Sequence, residues 1–294
     1  MNDCSKTDFG KLYNGDCLEI LPQLSDESID FILTDPPYFI TEEVSIIRRG
    51  NLMKYKGKDI DFKEGTEWDR MWKDKKEYLK WLYRVLDEFA RVLKRNKHLV
   101  MFCDKRDISH LIDYGEKIGF KLRTPLFFRK TNPTPQARQI SPMKSIEIMA
   151  WLTKGDVKRD NYNWQLGMVS DVIEAPIPQK EGSIKRHPTQ KPLFLGLWLV
   201  SRFSKPAEVV LDPFAGSGTF LLCAKTLGRN YIGMELDNEW FYVANERIEG
   251  GSKKAFEIAK KLYNDLYGVK PSTVSIEEFD ELFWGNTGHQ KILI

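Results

Sequence analysis

Glu208-Val209-Val210-Leu211-Asp212-Pro213-Phe214-Ala215-Gly216-Ser217-Gly218-Thr219 reads as a short apolar strand, an acid at its end, a turn with two glycines and the start of a helix. Glycine lets a backbone approach a ligand closely, and the first amides of the helix point at whatever sits there. Working outward, Tyr231–Met234 is a second apolar run and ends at Glu235, nineteen positions after Gly216. Ile29–Thr34 ends at Asp35, and His98–Cys103 ends at Asp104. Strands of this kind alternating with helices indicate a parallel sheet covered on both faces. Such sheets bind ligands at the carboxyl ends of their strands, so the four acids can share one rim.

Helical periodicity fills the gaps. From Glu77 to Leu93, Tyr78, Leu82, Val85, Phe89 and Val92 recur at three- and four-residue intervals and read as a core stripe. Further helices are expected at about 107–118, 190–203, 218–227, 238–248 and 253–267. Phe120–Phe128 and Ile146–Leu152 read as a strand pair that closes the sheet partly antiparallel. Three stretches (39–74, 131–144 and 155–186) are rich in charge, Gly or Pro and read as irregular, the usual form of functional loops.

With 294 residues, 41% of them hydrophobic, the chain can bury one large core. The expected organisation is a catalytic domain over 1–250, with insertions at about 39–74 and 131–186, and a C-terminal helical extension over 251–294. No apolar run of membrane-spanning length is present and the N-terminus lacks a signal-peptide layout, so a cytoplasmic protein with no membrane contact is expected. Cys4, Cys17, Cys103 and Cys223 are scattered, as are the four His, which argues against disulfides and a metal site. Net charge is only +3, but residues 120–145 carry six Lys or Arg and no acid, and Arg48 and Arg49 head a second basic cluster.

The chemistry starts at Glu235, placed to accept hydrogen bonds from a ribose diol. The glycine turn lacks the third glycine of the dinucleotide fingerprint, because Phe220-Leu221 follow Thr219. That favours a nucleoside cofactor other than NAD, and a nicotinamide dehydrogenase would leave Asp35-Pro36-Pro37-Tyr38 without a role. An amino group conjugated to a base ring is a poor nucleophile. A site that methylates it must hold the nitrogen pyramidal through its two hydrogens. The Asp35 carboxylate and the Pro36 carbonyl are two acceptors on a stiff Pro-Pro backbone, and Tyr38 offers a face for an extruded base.

Asp35-Pro36-Pro37-Tyr38, Phe214-x-Gly216-x-Gly218 and His187-Pro188-Thr189-Gln190-Lys191-Pro192 together resemble the amino-directed DNA methyltransferases, in the permuted order of their β-group, over roughly residues 11–250. The resemblance implies a Rossmann-like α/β fold with a mostly parallel seven-stranded sheet, one strand antiparallel. It places the tetrapeptide and the glycine turn on adjacent central strands although 177 positions separate Asp35 from Asp212. S-adenosylmethionine is the implied cofactor. Asp16 with Cys17 is implied at its adenine, and Thr189 and Lys191 at its methionine end. Asp212, Phe214, Ala215, Gly216, Ser217, Gly218 and Thr219 are implied around it, with Glu235 and Leu236 at the ribose and adenine.

The implied substrate is duplex DNA, with the target base flipped and the irregular stretches overhanging the cleft. Arg48, Arg49, Lys130, Arg138 and Lys144 are then expected as phosphate contacts. Asp in the tetrapeptide resembles the adenine-N6 enzymes, with cytosine-N4 as the alternative. An RNA or protein substrate, or an inactive DNA-binding module, fits the intact motifs less well. A partner restriction endonuclease and a homodimer are further expectations, and the family usage implies modification of DNA within a restriction–modification system or alone.

Overall fold

The computed structural model describes residues 4–39, 44–48, 60–64, 71–134, 142–156, 162–166, 168–178, 187 and 189–267, with 44–48, 60–64, 165 and 263–267 described as backbone alone. The chain begins with β1 (Cys4–Thr7), β2 (Gly10–Asn14), α1 (Cys17–Ile20) and β3 (Ile29–Thr34). β4 (Val44–Arg48) and β5 (Ile60–Glu64) follow, then α2 (Lys75–Val92), β6 (Leu93–Cys103) and α3 (Ile108–Lys117). Next come β7 (Phe120–Leu122), β8 (Leu126–Lys130), β9 (Ile146–Lys154) and β10 (Val172–Ala175). The last part is α4 (Leu193–Phe203), β11 (Val209–Asp212), α5 (Thr219–Thr226), β12 (Asn230–Glu235), α6 (Asn238–Gly250) and α7 (Lys253–Tyr267).

The main sheet runs β1-β2-β12-β11-β3-β6-β9-β8-β10, with β7 also on β9. From β2 to β8 it is the expected seven-stranded frame, in which β9 alone runs antiparallel to its neighbours. Ten strands rather than seven make up this sheet among the described residues. β1 adds a hairpin at one edge, β10 extends the other, and β7 pairs with the far end of β9. The expected Phe120–Phe128 strand is interrupted at 123–125. Pro125 has no N–H to give to the ladder there.

The stretches read as irregular are not wholly so. The 39–74 stretch contains the antiparallel pair β4–β5, and 155–186 contains β10. Four-residue β10 buries Ile173 and Ala175 and exposes Val172 and Glu174, an alternation too brief to stand out.

β3 and β11 lie side by side and parallel, Phe31 opposite Val210 and Ile32 opposite Leu211. β11 is flanked on its other side by β12, and β3 by β6. The carboxyl ends of β3 and β11 therefore meet where the sheet changes direction of travel, the position where α/β sheets bind ligands. Phe31 and Leu33 face the core under α4, α5 and α7, whereas Ile32 faces the core under α2 and α3. Burial on both faces is why β3 reads as a continuous apolar run.

α2 buries Tyr78, Leu82, Val85, Leu86, Phe89 and Val92, and Asp74 caps it by accepting from the Glu77 amide. A helix cap of this kind contributes about 1 kcal/mol. In the C-terminal extension, Ala255, Ala259 and Leu262 of α7 are buried in the core that α4 and α5 share. That helix docks on its own domain. Among the described residues no helix is long and apolar enough to cross a membrane.

Candidate active site

The strand ends bring three of the four expected acids together. The Thr34 hydroxyl donates to Asp212 Oδ1 at 2.7 Å, and the Phe214 amide donates to the same oxygen at 3.2 Å. These two bonds tie the end of β3 to the turn after β11. Burial drives the Asp212 carboxyl up to about 7, and Thr34 and the Phe214 amide pull the other way. Asp104 is the exception. It pairs with Arg106 at 2.8 Å and does not line the cavity over these strand ends.

Gly216 and Gly218 both take left-handed backbone, with φ of +52° and +73°. Gly218 caps α5, and a Cβ on it would sit 3.1 Å from the Ala244 Cβ and 3.0 Å from the Ile248 Cδ1 on α6. Gly218→Ala therefore combines backbone strain with crowding and should cost about 1–3 kcal/mol, measured as a lowered midpoint in urea unfolding. The Glu235 carboxylate holds the turn from the other side. Its Oε2 accepts from the Gly216 amide at 2.7 Å and its Oε1 from the Asp237 amide at 2.9 Å. The Glu235 carbonyl in turn accepts from the Gly15 amide and the Asn14 side chain, both at 2.9 Å, which fixes the loop leading to Asp16. Asp16 caps α1 by accepting from the Leu18 amide at 2.8 Å.

A cavity of about 750 Å³ opens over these strand ends. Asp16, Cys17, Asp35, Pro36, Pro37 and Tyr38 line one part of it. Asp212, Phe214, Ala215, Gly216, Ser217 and Thr219 line the floor, with Glu235, Leu236, Thr189 and Lys191 around them. Every site residue expected for catalysis or cofactor is thus on this wall except Gly218, which sits behind it. Six carboxylates (Asp16, Asp35, Glu147, Asp212, Glu235 and Asp237) face two lysines, Lys130 and Lys191. A lining so acidic suits a ligand that carries positive charge.

The tetrapeptide is held by an ion-pair chain. The Tyr38 hydroxyl donates to Asp35 Oδ1 at 2.5 Å, and Lys191 Nζ lies 2.6 Å from Asp35 Oδ2. Burial raises the Asp35 carboxyl, and Lys191 opposes it. Lys191 also lies 3.0 Å from Glu147 Oε2, and Lys130 lies 2.6 Å from Glu147 Oε1. Burial alone would discharge Lys191, yet the two acids hold it protonated, above its ordinary range. Burial likewise works against the Glu147 carboxylate, but Lys191 and Lys130 keep it down at about 2. The His187 Nδ1 meets the Thr189 amide and hydroxyl, and its ring sits edge-on to Trp240. Burial and then Lys191 lower it to about 4.

The family model N6_N4_Mtase, DNA methylase, matches residues 29–246. The chain belongs to that DNA methylase family. The Type II methyltransferase M.HinfI of Haemophilus influenzae is 32% identical over 253 residues, 81% of this chain and 67% of that one. The Type II methyltransferase M2.DpnII of Streptococcus pneumoniae is 30% identical over 249 residues, 81% and 89% of the two chains. The crystal structure of an M1.HpyAVI–SAM complex superposes with a TM-score of 0.61 at 27% identity, covering 81% of this chain and 98% of that one. The PvuII cytosine-N4-specific DNA methyltransferase shares the fold, with a TM-score of 0.63 at 19% identity over 90% of this chain and 95% of that one. This DNA methylase is an S-adenosylmethionine-dependent enzyme. The acidic cavity with its glycine turn fits that cationic cofactor.

If Glu235 anchors the cofactor of this DNA methylase, its protonation state makes binding depend on pH. Burial raises that carboxyl to about 7, against the pull of the Asp237 and Gly216 amides. A ribose diol on Glu235 would donate to the ionised form, so binding would favour loss of the proton. Affinity should then rise with pH through about 7 and fall several-fold from pH 8 to pH 6. Titration calorimetry in two buffers of different ionisation enthalpy reads both the affinity and the released proton.

The expected phosphate contacts are scattered. Lys130 lines the cavity and pairs with Glu147. Lys144 is exposed. Arg48 lies on β4, described as backbone alone, and Arg49 and Arg138 lie outside the described residues. Sequence reasoning passed over Glu147, although it is the only acid between Gly119 and Gly155. That isolation in a basic stretch was the available signal.

Proposed function

We propose that this enzyme methylates the N6 amino group of adenine in duplex DNA, with the adenine turned out of the stack into the cavity. The observation that carries the reading is the shared wall: the Asp35–Tyr38 corner and the Gly216 turn line one cavity. Glu235 would hold the ribose, Asp16 and Leu236 the adenine, and Thr189 the methionine end of S-adenosylmethionine. When bound, the cofactor supplies an electrophilic methyl group. The Asp35 carboxylate and the Pro36 carbonyl accept the two amino hydrogens of the base, which returns the lone pair to its nitrogen. Tyr38 braces Asp35 through its hydroxyl and turns its ring to the extruded base.

Holding the nitrogen in place is most of the catalysis, since alignment alone supplies several kcal/mol of the barrier. Lys144, with Arg48, Arg49 and Arg138, supplies phosphate contacts under this reading. The protein acts in the cytoplasm, as a homodimer, beside a cognate restriction endonuclease. Mass analysis of nucleosides from DNA treated with the purified enzyme tests the target: N6-methyladenine is expected, and N4-methylcytosine alone would overturn it.

A further inference from the structure

Both oxygens of Asp35 are occupied. Oδ1 accepts from Tyr38, and Oδ2 is held by the Lys191 ammonium at 2.6 Å. A target amine that donates to Asp35 shares these oxygens with the Tyr38 hydroxyl and the Lys191 ammonium. Lys191 itself is buried, only 9% exposed, so it cannot simply retreat to solvent. One further acceptor is within reach. Glu147 Oε2 is buried, and its ion pair with Lys191 Nζ, at 3.0 Å, is longer than the 2.6 Å pair at Asp35. The other Glu147 oxygen is pinned by Lys130, which fixes the carboxylate on the wall formed by β8 and β9.

We propose that Glu147, braced by Lys130, is a positioning residue for methyl transfer: it draws the Lys191 ammonium off Asp35 when the target amine enters. Lys191 then trades one carboxylate for another without leaving the cavity. A buried charge that loses its partner is strongly penalised, whereas one that moves between two carboxylates keeps a counter-charge throughout. The longer Lys191–Glu147 pair tightens in the same movement, which offsets the contact that Lys191 gives up at Asp35. Lys130 keeps Glu147 from following Lys191 toward Asp35. The inference rests on the reading of Asp35 as the acceptor for the base amine.

Two measurements test it. Glu147→Gln should slow single-turnover methyl transfer by about tenfold or more at saturating cofactor and DNA, while the dissociation constants for both stay within about threefold. A merely structural role would move affinity and melting temperature along with the rate. The second measurement needs no variant: a crystal structure of the enzyme with cognate duplex and S-adenosylhomocysteine. Lys191 Nζ is expected within about 3 Å of Glu147 Oε2 and beyond hydrogen-bond reach of Asp35, with the base amine in its place. An unaltered rate in Glu147→Gln, or a bound base with Lys191 still on Asp35, overturns the proposal. Should Glu147→Gln fail to fold, the complex structure alone decides. A wild-type enzyme that methylates DNA with Lys191 unmoved would sink this inference alone. A base amine seated away from Asp35 would sink the functional reading beneath it.

Discussion

Asp35→Ala should leave S-adenosylmethionine binding within about threefold of the wild-type enzyme and cut methyl transfer by about a thousandfold or more. The two effects separate because the groups separate. Glu235 and the glycine turn are held by their own hydrogen bonds, to Gly216, Asp237 and Gly15, and none of these involves Asp35. The fold should survive as well. Lys191 keeps Glu147 as counter-charge at 3.0 Å, so the substitution does not strand a buried ammonium. What disappears is the carboxylate proposed to restore nucleophilicity to the base nitrogen. Titration calorimetry for the cofactor and single-turnover transfer to DNA check the two halves. Unchanged turnover would remove Asp35 from the mechanism.

Glu235→Ala is expected to do the reverse. It removes the acceptor for the Gly216 and Asp237 amides, at 2.7 and 2.9 Å, together with the proposed anchor of the ribose. Hydrogen bonds to a charged acceptor contribute about 1.5–3 kcal/mol each, but water can refill the gap, so cofactor affinity should fall by about a hundredfold in total. Transfer at saturating cofactor should suffer much less. Glu235→Gln, which keeps one carbonyl acceptor, should fall between. The pH dependence of binding should flatten in both variants. Equal losses in affinity and in saturated rate would mean that Glu235 acts on the chemistry rather than on the cofactor.

The central strands were legible because they are buried on both faces. Ile29–Thr34 is buried throughout, and a run of that kind followed by an acid and two prolines reads as a strand ending at a site. The glycine turn was equally plain, since φ of +52° and +73° is backbone that favours glycine and little else. α2 announced itself by its period. The edges did not. β1 and β2 bury only Leu12 fully among nine residues, so neither apolar alternation nor a continuous run marks them. β10 has two buried side chains.

Lys191 shows the deeper limit. Its motif pointed to the cofactor cavity, which it does line, but not to its ion pairs with Asp35 and Glu147, 156 and 44 positions away in the chain. Lys130 was read as a phosphate contact from its basic neighbourhood, and that reading gave no sign of its ion pair with Glu147. Local charge density says nothing about a partner that arrives from another strand. Ion pairs in a buried site are set by topology, and topology is what a linear pattern encodes least directly.

All of this depends on one pocket serving both reactants. A crystal structure of the enzyme bound to S-adenosylmethionine tests that directly. The ribose is expected on Glu235, beside the Gly216 turn, with the sulfonium methyl directed at the Asp35–Pro36 corner. A cofactor seated elsewhere, or with its methyl turned away from Asp35, would contradict the account.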